Sequence, residues 1–266
     1  MNFLLVAVNY NSYDALMEYL DTIEMSLSQC EKDIHLKVVV ADNSSIRREI
    51  LSYKWKRFQL SFVQLDNWGY LGGASYVINN EPHIECYDYV AISNVDLRLD
   101  ESFFSTLVET NIPNEVAWVA PSIFSLQEGR DKWTESRPSK KRFKALCFLF
   151  KYPILYRLYY MSLYRRKRKV LSNEMEKDIY AGHGAFILLT RSFFKHYPKI
   201  EYPVFLFCEE NFFAELIREV SLKVRYVPSL KIWDSEHVSI GKMNVKRQCK
   251  YNYQAHKYIY DRFYNI

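Results

Sequence analysis

Signatures that would assign this 266-residue chain to several common classes are missing from it. Its five cysteines form an odd set with no CxxC pair and no short histidine spacing, which argues against a disulfide framework or a structural zinc site and fits a reducing cytoplasm. No run approaches the roughly 20 apolar residues that a spanning helix needs. The N-terminal apolar run lacks a basic segment and a cleavage site, so it predicts a buried strand, not a signal peptide. We therefore expect a soluble or peripheral protein.

Glycine is also scarce, with seven residues in all, yet Gly69, Gly72 and Gly73 fall within five positions. Their spacing matches neither the GxGxxG dinucleotide fingerprint nor the GK[ST] end of a P-loop. A glycine-rich, basic N-terminal loop, which a nucleotidyltransferase would need, is absent. The local concentration predicts a backbone that approaches a neighbour closely or adopts left-handed angles, and a plain turn is the alternative.

What is present is a globular composition, 49% hydrophobic and 25% charged, with strands and helices in alternation. Such alternation predicts right-handed βαβ crossovers, hence an α/β fold with a mostly parallel central sheet flanked by helices. The predicted strands are Phe3–Val8, 36–41, 60–65, 89–93, 185–189 and 224–227. One predicted helix begins after Asn11 or Ser12, which would cap it, and another begins after Gly72–Gly73. Further helices are predicted at 101–109, at 209–219 and, as one or two helices, at 245–264.

Ligands bind such sheets at the carboxyl ends of the strands, and here those ends are polar. After the strand at 89–93, a period of two would put the Asn94 amide and the Asp96 carboxylate on one face, where their oxygens suit Mg²⁺ or Mn²⁺. A turn that caps the next helix is the alternative. Asp42 could accept from the N–H and O–H groups of a pyrimidine or ribose, although alone it would be read as a turn residue.

Two further motifs lie downstream. Glu209 and Glu210 follow an aromatic run at the start of a helix, where a general base could have a suitable pKa. Adjacent helical side chains point about 100° apart, so we expect the two acids to differ in role; ordinary first-turn enrichment in acids is the alternative. His237 is a further candidate metal or phosphate ligand, or a structural histidine.

Taken in chain order, these motifs resemble those of family two of the inverting GT-A glycosyltransferases, especially its bacterial rhamnosyltransferase-like and capsule or O-antigen branch. The matching segments are Val8-Asn9-Tyr10-Asn11, Asp42-Asn43-Ser44, Asn67 to Gly73, Asn94-Val95-Asp96, Gly182-His183-Gly184-Ala185, Glu209-Glu210 and Pro228 to His237. Two positions depart from the family pattern. Asn94 stands where many members have an acid, and Glu210 follows Glu209 where many have an aspartate.

The resemblance implies one catalytic domain over 1–266, with a nucleotide-sugar half (1–110), an acceptor half (111–240) and a helical tail (241–266). It implies a UDP- or dTDP-linked donor, Mn²⁺ or Mg²⁺ on the diphosphate, and transfer with inversion to a hydroxyl of a lipid-linked surface polysaccharide. Asp96 and His237 would hold the metal, and Glu210, or else Glu209, would be the general base. The donor would contact Asn9, Tyr10, Asn11, Asp42, Asn43, Asn67, Gly69, Gly73, Asn94 and Val95. The alternative is a non-catalytic, membrane-associated glycan- or nucleotide-binding protein that kept the fold.

A basic and aromatic insertion, at about residues 137–172, predicts contact with a polyanion. Its amphipathic pattern is typical of an interfacial helix on anionic lipid, which would place the protein on the inner face of the plasma membrane. Pro153 should break any single helix there. Nucleic acid is the competing polyanion, but no nucleic-acid-binding module is present, so we expect none to be bound. A solvated loop over the acceptor site is the third interpretation.

Overall fold

Among the described residues, seven of the ten strands lie in the first half of the chain, and the second half adds three, the last of which is the longest. The computed structural model describes residues 1–48, 50, 54–126, 129–163, 175–235 and 243–265, with 160–163 as backbone alone. The strands are β1 (Asn2–Asn9), β2 (His35–Asp42), β3 (Gln59–Gln64), β4 (Tyr89–Asn94), β5 (Leu97–Leu99), β6 (Val116–Ser125), β7 (Arg130–Asp131), β8 (Lys177–Ile179), β9 (Phe186–Thr190) and β10 (Lys223–Asp234). The helices are α1 (Tyr13–Ser28), α2 (Tyr70–Asn80), α3 (Phe103–Glu109), α4 (Lys140–Lys151), α5 (Pro153–Leu163), α6 (Arg191–His196), α7 (Glu209–Glu219) and α8 (Val245–Phe263).

The strands form one mixed sheet in the order β3-β2-β1-β4-β9-β6-β10-β5, with β7 on β6 and β8 on β10. β3, β2, β1 and β4 are parallel to one another, and β6 is parallel to β10. β9 is antiparallel to both β4 and β6, so the two parallel groups point the same way. The mostly parallel sheet expected from the sequence is confirmed, and six strands end at one edge.

Two hydrophobic layers cover the faces of the sheet, and β1 contributes to both. Leu4, Val6 and Val8 enter the layer that includes α2, α7 and α8, while the alternate residues enter the layer beneath α1 and α3. Burial on both faces explains the continuous apolar run of this strand. Each leucine or valine so buried stabilises the fold by about 1.5–3 kcal/mol.

The basic and aromatic insertion begins as two helices that lie against the C-terminal helix. Pro153 starts α5 two residues after α4 ends, so the predicted break is confirmed. Phe143 anchors α4, since it is 2% exposed and its ring centroid lies 4.8 Å from that of Tyr264. Arg137, just before α4, donates to both carboxylate oxygens of the fully buried Glu215, at 2.7 and 3.0 Å. No described helix is both long and apolar enough to cross a membrane.

Some predicted boundaries were wrong, for local reasons. α2 begins at Tyr70 instead of after Gly72–Gly73, so both glycines lie inside the helix. Ser12 occupies the position before α1 but its side chain makes no capping bond; its N–H donates to Asn9 Oδ1 (3.2 Å). β10 runs seven residues beyond the predicted Val227. The C-terminal segment, predicted as one or two helices, is a single helix.

Candidate active site

The tips of β1 and β2 are joined by a buried polar cluster. Asn9 Nδ2 donates to Asp42 Oδ1 (3.0 Å) and lies 3.1 Å from Ser44 Oγ. Tyr13, from the first turn of α1, donates its hydroxyl proton to Asp42 Oδ2 (2.6 Å). Asn9 and Asp42 are 0% and 3% exposed. Both therefore fix the shape of this edge, with a carboxylate at its base.

Two neighbouring residues of the same turn face outward. The Tyr10 side chain is 44% exposed. Asn11 adopts a left-handed backbone (φ 52°), which asparagine tolerates, and its Oδ1 accepts the N–H groups of Ser45 (3.1 Å) and Ile46 (3.3 Å). An exposed aromatic ring beside a polar loop over a buried carboxylate provides the kinds of group that hold a nucleoside.

The glycine-rich segment is held from two sides. Asn43 Nδ2 donates to the Gly69 carbonyl (2.9 Å), and Asn43 Oδ1 accepts from the Trp68 N–H (3.3 Å). Gly69 has φ 81°, and a Cβ there would lie 1.8 Å from the Phe205 carbonyl oxygen. A Cβ on Gly73 would lie 3.0 Å from Asn43 Nδ2. The predicted close approach and left-handed angle are both confirmed. Asn67 is exposed, and its Oδ1 accepts from the Gly69 N–H (3.4 Å).

The end of β4 presents the candidate metal ligands. Asn94 and Asp96 are partly exposed whereas Val95 is 5% exposed, the alternation that an extended backbone produces. The Asn94 N–H donates to the Ala185 carbonyl (2.8 Å), and the Asp96 carbonyl accepts from Ser235 Oγ (2.9 Å). Among the described residues, no three His, Cys, Asp or Glu side chains form a metal cluster. His237 lies outside the described residues.

One partly buried hydroxyl connects the end of β4 with α7. Tyr70 donates to the Gly184 carbonyl (2.8 Å), at the entrance to β9. Burial, and then the negative charges of Glu209, Asp96 and Glu210, raise the pKa of Tyr70 well above its ordinary value. The carbonyl of the next residue, Ala185, accepts the Asn94 N–H (2.8 Å), and a Cβ on Gly184 would lie 3.1 Å from Glu210 Oε2. The Gly184–Ala185 segment therefore lies beside both the end of β4 and the start of α7.

The two acids at the start of α7 have different surroundings. Glu209 is 6% exposed and its Oε1 accepts the Phe207 N–H (2.9 Å). Burial first, and the charge of Glu210 second, raise the pKa of Glu209 to about 8. Glu210 is partly exposed, and a Cβ on Gly184 would lie 3.1 Å from its Oε2. Burial raises the pKa of Glu210 as well, which makes its carboxylate a stronger base than that of an exposed glutamate.

Sequence reasoning missed the contributions of Tyr13, Tyr70 and Gly184. Tyr70 and Gly184 lie inside motifs that were identified, so their positions were available but their contacts were not. Tyr13 follows Asn9 by four residues, and only the turn of α1 back over the strand tip brings its hydroxyl to Asp42. Each contact depends on the tertiary arrangement of two segments.

Comparison with known proteins gives structural matches without sequence matches. No protein-family model matches the sequence, and no curated protein matches it. S. aureus TarS 1-349 in complex with UDP-GlcNAc superposes with a TM-score of 0.59 at 9% identity, over 100% of this chain and 72% of that one. GalNAc-T7 with UDP, GalNAc and Mn²⁺ superposes with a TM-score of 0.58 at 12% identity, over 90% of this chain and 44% of that one.

A third match is the mannosyltransferase PcManGT from Pyrobaculum calidifontis with GDP-Man and Mn²⁺, at TM-score 0.52 and 11% identity, over 88% of this chain and 56% of that one. The chain spans 37% of the longer TarS structure. At these identities the likeness concerns the fold. The central mixed sheet with its flanking helices, matched by glycosyltransferases from three sources, shows that this chain has the GT-A fold.

Proposed function

We propose that this chain is a glycosyltransferase that moves a sugar from a nucleotide-diphosphate donor to an acceptor hydroxyl with inversion. One observation carries the proposal: on a GT-A sheet, the Gly184–Ala185 segment contacts both the end of β4, which bears Asp96, and Glu210 at the start of α7. A carboxylate that can hold a metal and a carboxylate that can act as a base, both near one segment, suit transfer of a group between two oxygens. We assign residues 1–110 mainly to the donor and 111–240 to the acceptor.

The donor half would bind the nucleotide over the polar cluster of β1 and β2. Tyr10 offers a ring, Asn11 offers polar atoms, and the loop held by Asn43 supplies backbone groups for the diphosphate. Five further residues would contribute by holding these loops in shape: Asn9, Asp42, Asn67, Gly69 and Gly73. We keep a UDP- or dTDP-linked sugar as the expected donor; the matched structures carry UDP, UDP-GlcNAc or GDP-Man.

The end of β4 fits a hard divalent cation that is shared with the donor. Asp96 supplies one carboxylate and Asn94 an amide oxygen, beside the backbone of Val95, and a cation such as Mn²⁺ or Mg²⁺ is commonly held by one or two carboxylates plus ligand phosphates. His237 would add a ligand. When bound, the metal would act as a Lewis acid on the leaving diphosphate.

Glu210 would be the general base. The residue is partly exposed and its Oε2 lies beside Gly184, where an acceptor hydroxyl could approach it, whereas Glu209 is almost fully covered. Glu210 removes the proton as the acceptor oxygen attacks the anomeric carbon, and the bond from that carbon to the diphosphate oxygen breaks. Attack opposite the leaving group inverts the anomeric configuration.

Thermal unfolding with UDP, dTDP, GDP and CMP, each with and without Mn²⁺, tests the donor site. A ligand at about 100 times its dissociation constant adds about 2.7 kcal/mol to folding stability, which raises the midpoint by several degrees in a domain of this size. We expect one nucleoside diphosphate to do so, more strongly with Mn²⁺. Asp96→Ala should abolish the metal-dependent part, and the exposed Asp33→Ala should not. No shift with any nucleotide in folded protein would contradict the proposed function.

The acceptor is proposed to be lipid-linked, with the protein peripheral on the inner face of the membrane. An exposed apolar surface on α4 and α5, here called the α4–α5 face, supports this. Its members are Phe148 (59% exposed), Tyr152 (43%), Ile154 (74%), Leu155 (38%), Leu158 (59%) and Tyr159 (44%). Residues 140–163 contain six cations and no acid. Apolar and aromatic side chains beside clustered positive charge fit an anionic bilayer.

Cosedimentation with phosphatidylglycerol-containing vesicles tests the α4–α5 face. Replacing Ile154 and Leu158 by serine should weaken binding at least about tenfold, since a fully buried side chain of this size is worth about 1.5–3 kcal/mol. The matched control replaces two exposed methionines elsewhere, Met25 (50% exposed) and Met175 (74%), by serine and should leave binding unchanged. Equal vesicle binding by both variants would favour a solvated loop over the acceptor site.

A further inference from the structure

The turn before α7 has an unusual backbone. Phe207 and Cys208 are successive non-glycine residues with left-handed angles, φ 79° and 62°. Bulky L residues rarely adopt such angles, so the surroundings must hold them. Cys208 occupies the capping position of α7 without making a side-chain capping bond. The direction of the next two side chains, Glu209 and Glu210, depends on this turn.

Both polar backbone atoms of Phe207 are held by buried side chains. Glu209 Oε1 accepts its N–H (2.9 Å), and the Tyr202 hydroxyl donates to its carbonyl (2.5 Å). Glu209 and Tyr202 are 6% and 8% exposed. A backbone N–H buried without a partner is costly, so removing the Glu209 acceptor would release the turn.

Contacts with two neighbouring segments also hold the turn in place. The Phe205 carbonyl lies against Gly69, at the donor side. The Cys208 sulfur lies 3.5 Å from Nδ1 of His256 on α8. Within the turn, the Glu209 side chain bonds back to the Phe207 N–H. The Glu210 side chain lies beside Gly184.

We propose that Glu209 is a positioning residue: its covered carboxyl holds the left-handed turn at Phe207–Cys208 and so aims the Glu210 carboxylate at the cleft beside Gly184. The inference rests on the proposed transferase function. Its role is that of a hydrogen-bond acceptor, because its Oε1 accepts the Phe207 N–H (2.9 Å). Burial and the charge of Glu210 raise the pKa of Glu209 to about 8, which favours its neutral form.

The test compares Glu209→Gln with Glu209→Ala. Glutamine keeps the oxygen that accepts the Phe207 N–H, so we expect kcat within about fivefold of the wild type. Alanine removes it, and kcat should fall by about 10- to 100-fold while KM for the donor changes less than about threefold. Glu219→Ala, an exposed acid at the far end of α7, is the matched control and should be unaffected.

Two results would overturn the proposal. Equal losses in the glutamine and alanine variants would make the Glu209 carboxylate itself the base, and full activity of the alanine variant would show that the turn does not need it. If Glu209→Ala does not fold, Tyr202→Phe removes the other bond to Phe207 and should lower kcat with donor KM kept; unchanged kcat would again overturn the proposal.

Failure of the proposed function gives a different pattern. The wild type would then transfer no sugar from any nucleotide donor and would show no thermal shift with one. The unfolding midpoints still decide the role of Glu209 in the turn. Glu209→Gln should match the wild type and Glu209→Ala should unfold several degrees lower; equal midpoints for the two variants would refute it.

Discussion

Glu210→Gln is expected to lower kcat by about 10²- to 10⁴-fold, the range for loss of a general base. Glutamine has the size of glutamate but cannot take the acceptor proton. Burial raises the pKa of Glu210, which means that its charged form is unfavourable in the folded protein. Because the substitution removes this charge, the variant should be no less stable than the wild type. The measurement is single-turnover and steady-state transfer with the donor identified by thermal shift, and Glu219→Gln is the control on the same helix.

The pH dependence adds a second readout for Glu210. A base works when ionised, and the pKa of Glu210 is raised above that of an ordinary glutamate. The rate should therefore be low in acid and should rise with pH through that raised pKa. The residual activity of Glu210→Gln should lack this acidic limb. A variant that keeps kcat within about fivefold, with the limb intact, would show that another group takes the proton.

The regular part of this fold was predictable because its signals are local. β1, β2, β3 and β4 are short apolar runs with polar ends, and the amphipathic spacing of α1 and the acidic start of α7 mark those helices. The strand at 185–189 was predicted, but the antiparallel direction of β9 and its position between β4 and β6 were not predictable. Tertiary packing determines which strands far apart in sequence become neighbours. The hydrophobic pattern of one strand does not indicate which strand it pairs with.

The start of α2 shows tertiary contacts overriding local preference. Glycine in a helix costs about 1 kcal/mol relative to alanine, so Gly72 and Gly73 predicted a loop. The structure instead begins the helix at Tyr70, whose hydroxyl bonds to Gly184, and packs Gly73 against Asn43. The glycines allow close packing, and helix propensities take no account of such tertiary contacts.

The candidate site was predictable as a set of strand ends but not as an arrangement. Helical geometry implies that Glu209 and Glu210 point in different directions, and the docking of α7 beside Gly184 decides which of them is accessible. Likewise, the resemblance marks Asn9 and Asp42 as candidate site residues, whereas the hydrogen bond from Asn9 to Asp42 shows that they join the tips of β1 and β2.

Gly69→Ala is expected to destabilise the protein by about 3 kcal/mol or more, the largest stability effect we predict for a single methyl group. Gly69 has φ 81° and ψ −176°, a region that essentially only glycine occupies. The new Cβ would also lie 1.8 Å from the Phe205 carbonyl oxygen, which is backbone and cannot rotate away. The 205–208 turn must then shift, so kcat should fall together with stability.

Two other glycines separate the contributions to this loss. Gly129→Ala carries only the left-handed backbone cost, about 1–2 kcal/mol, because φ is 62° and nothing lies within 4 Å of the added Cβ. Gly72→Ala lies inside α2, and its added Cβ would lie 3.3 Å from the Cβ of Trp68, so that residue must shift by a few tenths of an ångström; the gain in helix propensity should roughly offset the cost of this shift. Urea unfolding of the three variants should therefore rank Gly69→Ala well below Gly129→Ala, with Gly72→Ala near the wild type. A Gly69→Ala loss no larger than that of Gly129→Ala would mean that the 205–208 turn is not packed against Gly69, and the link between the donor loop and Glu210 would fail with it.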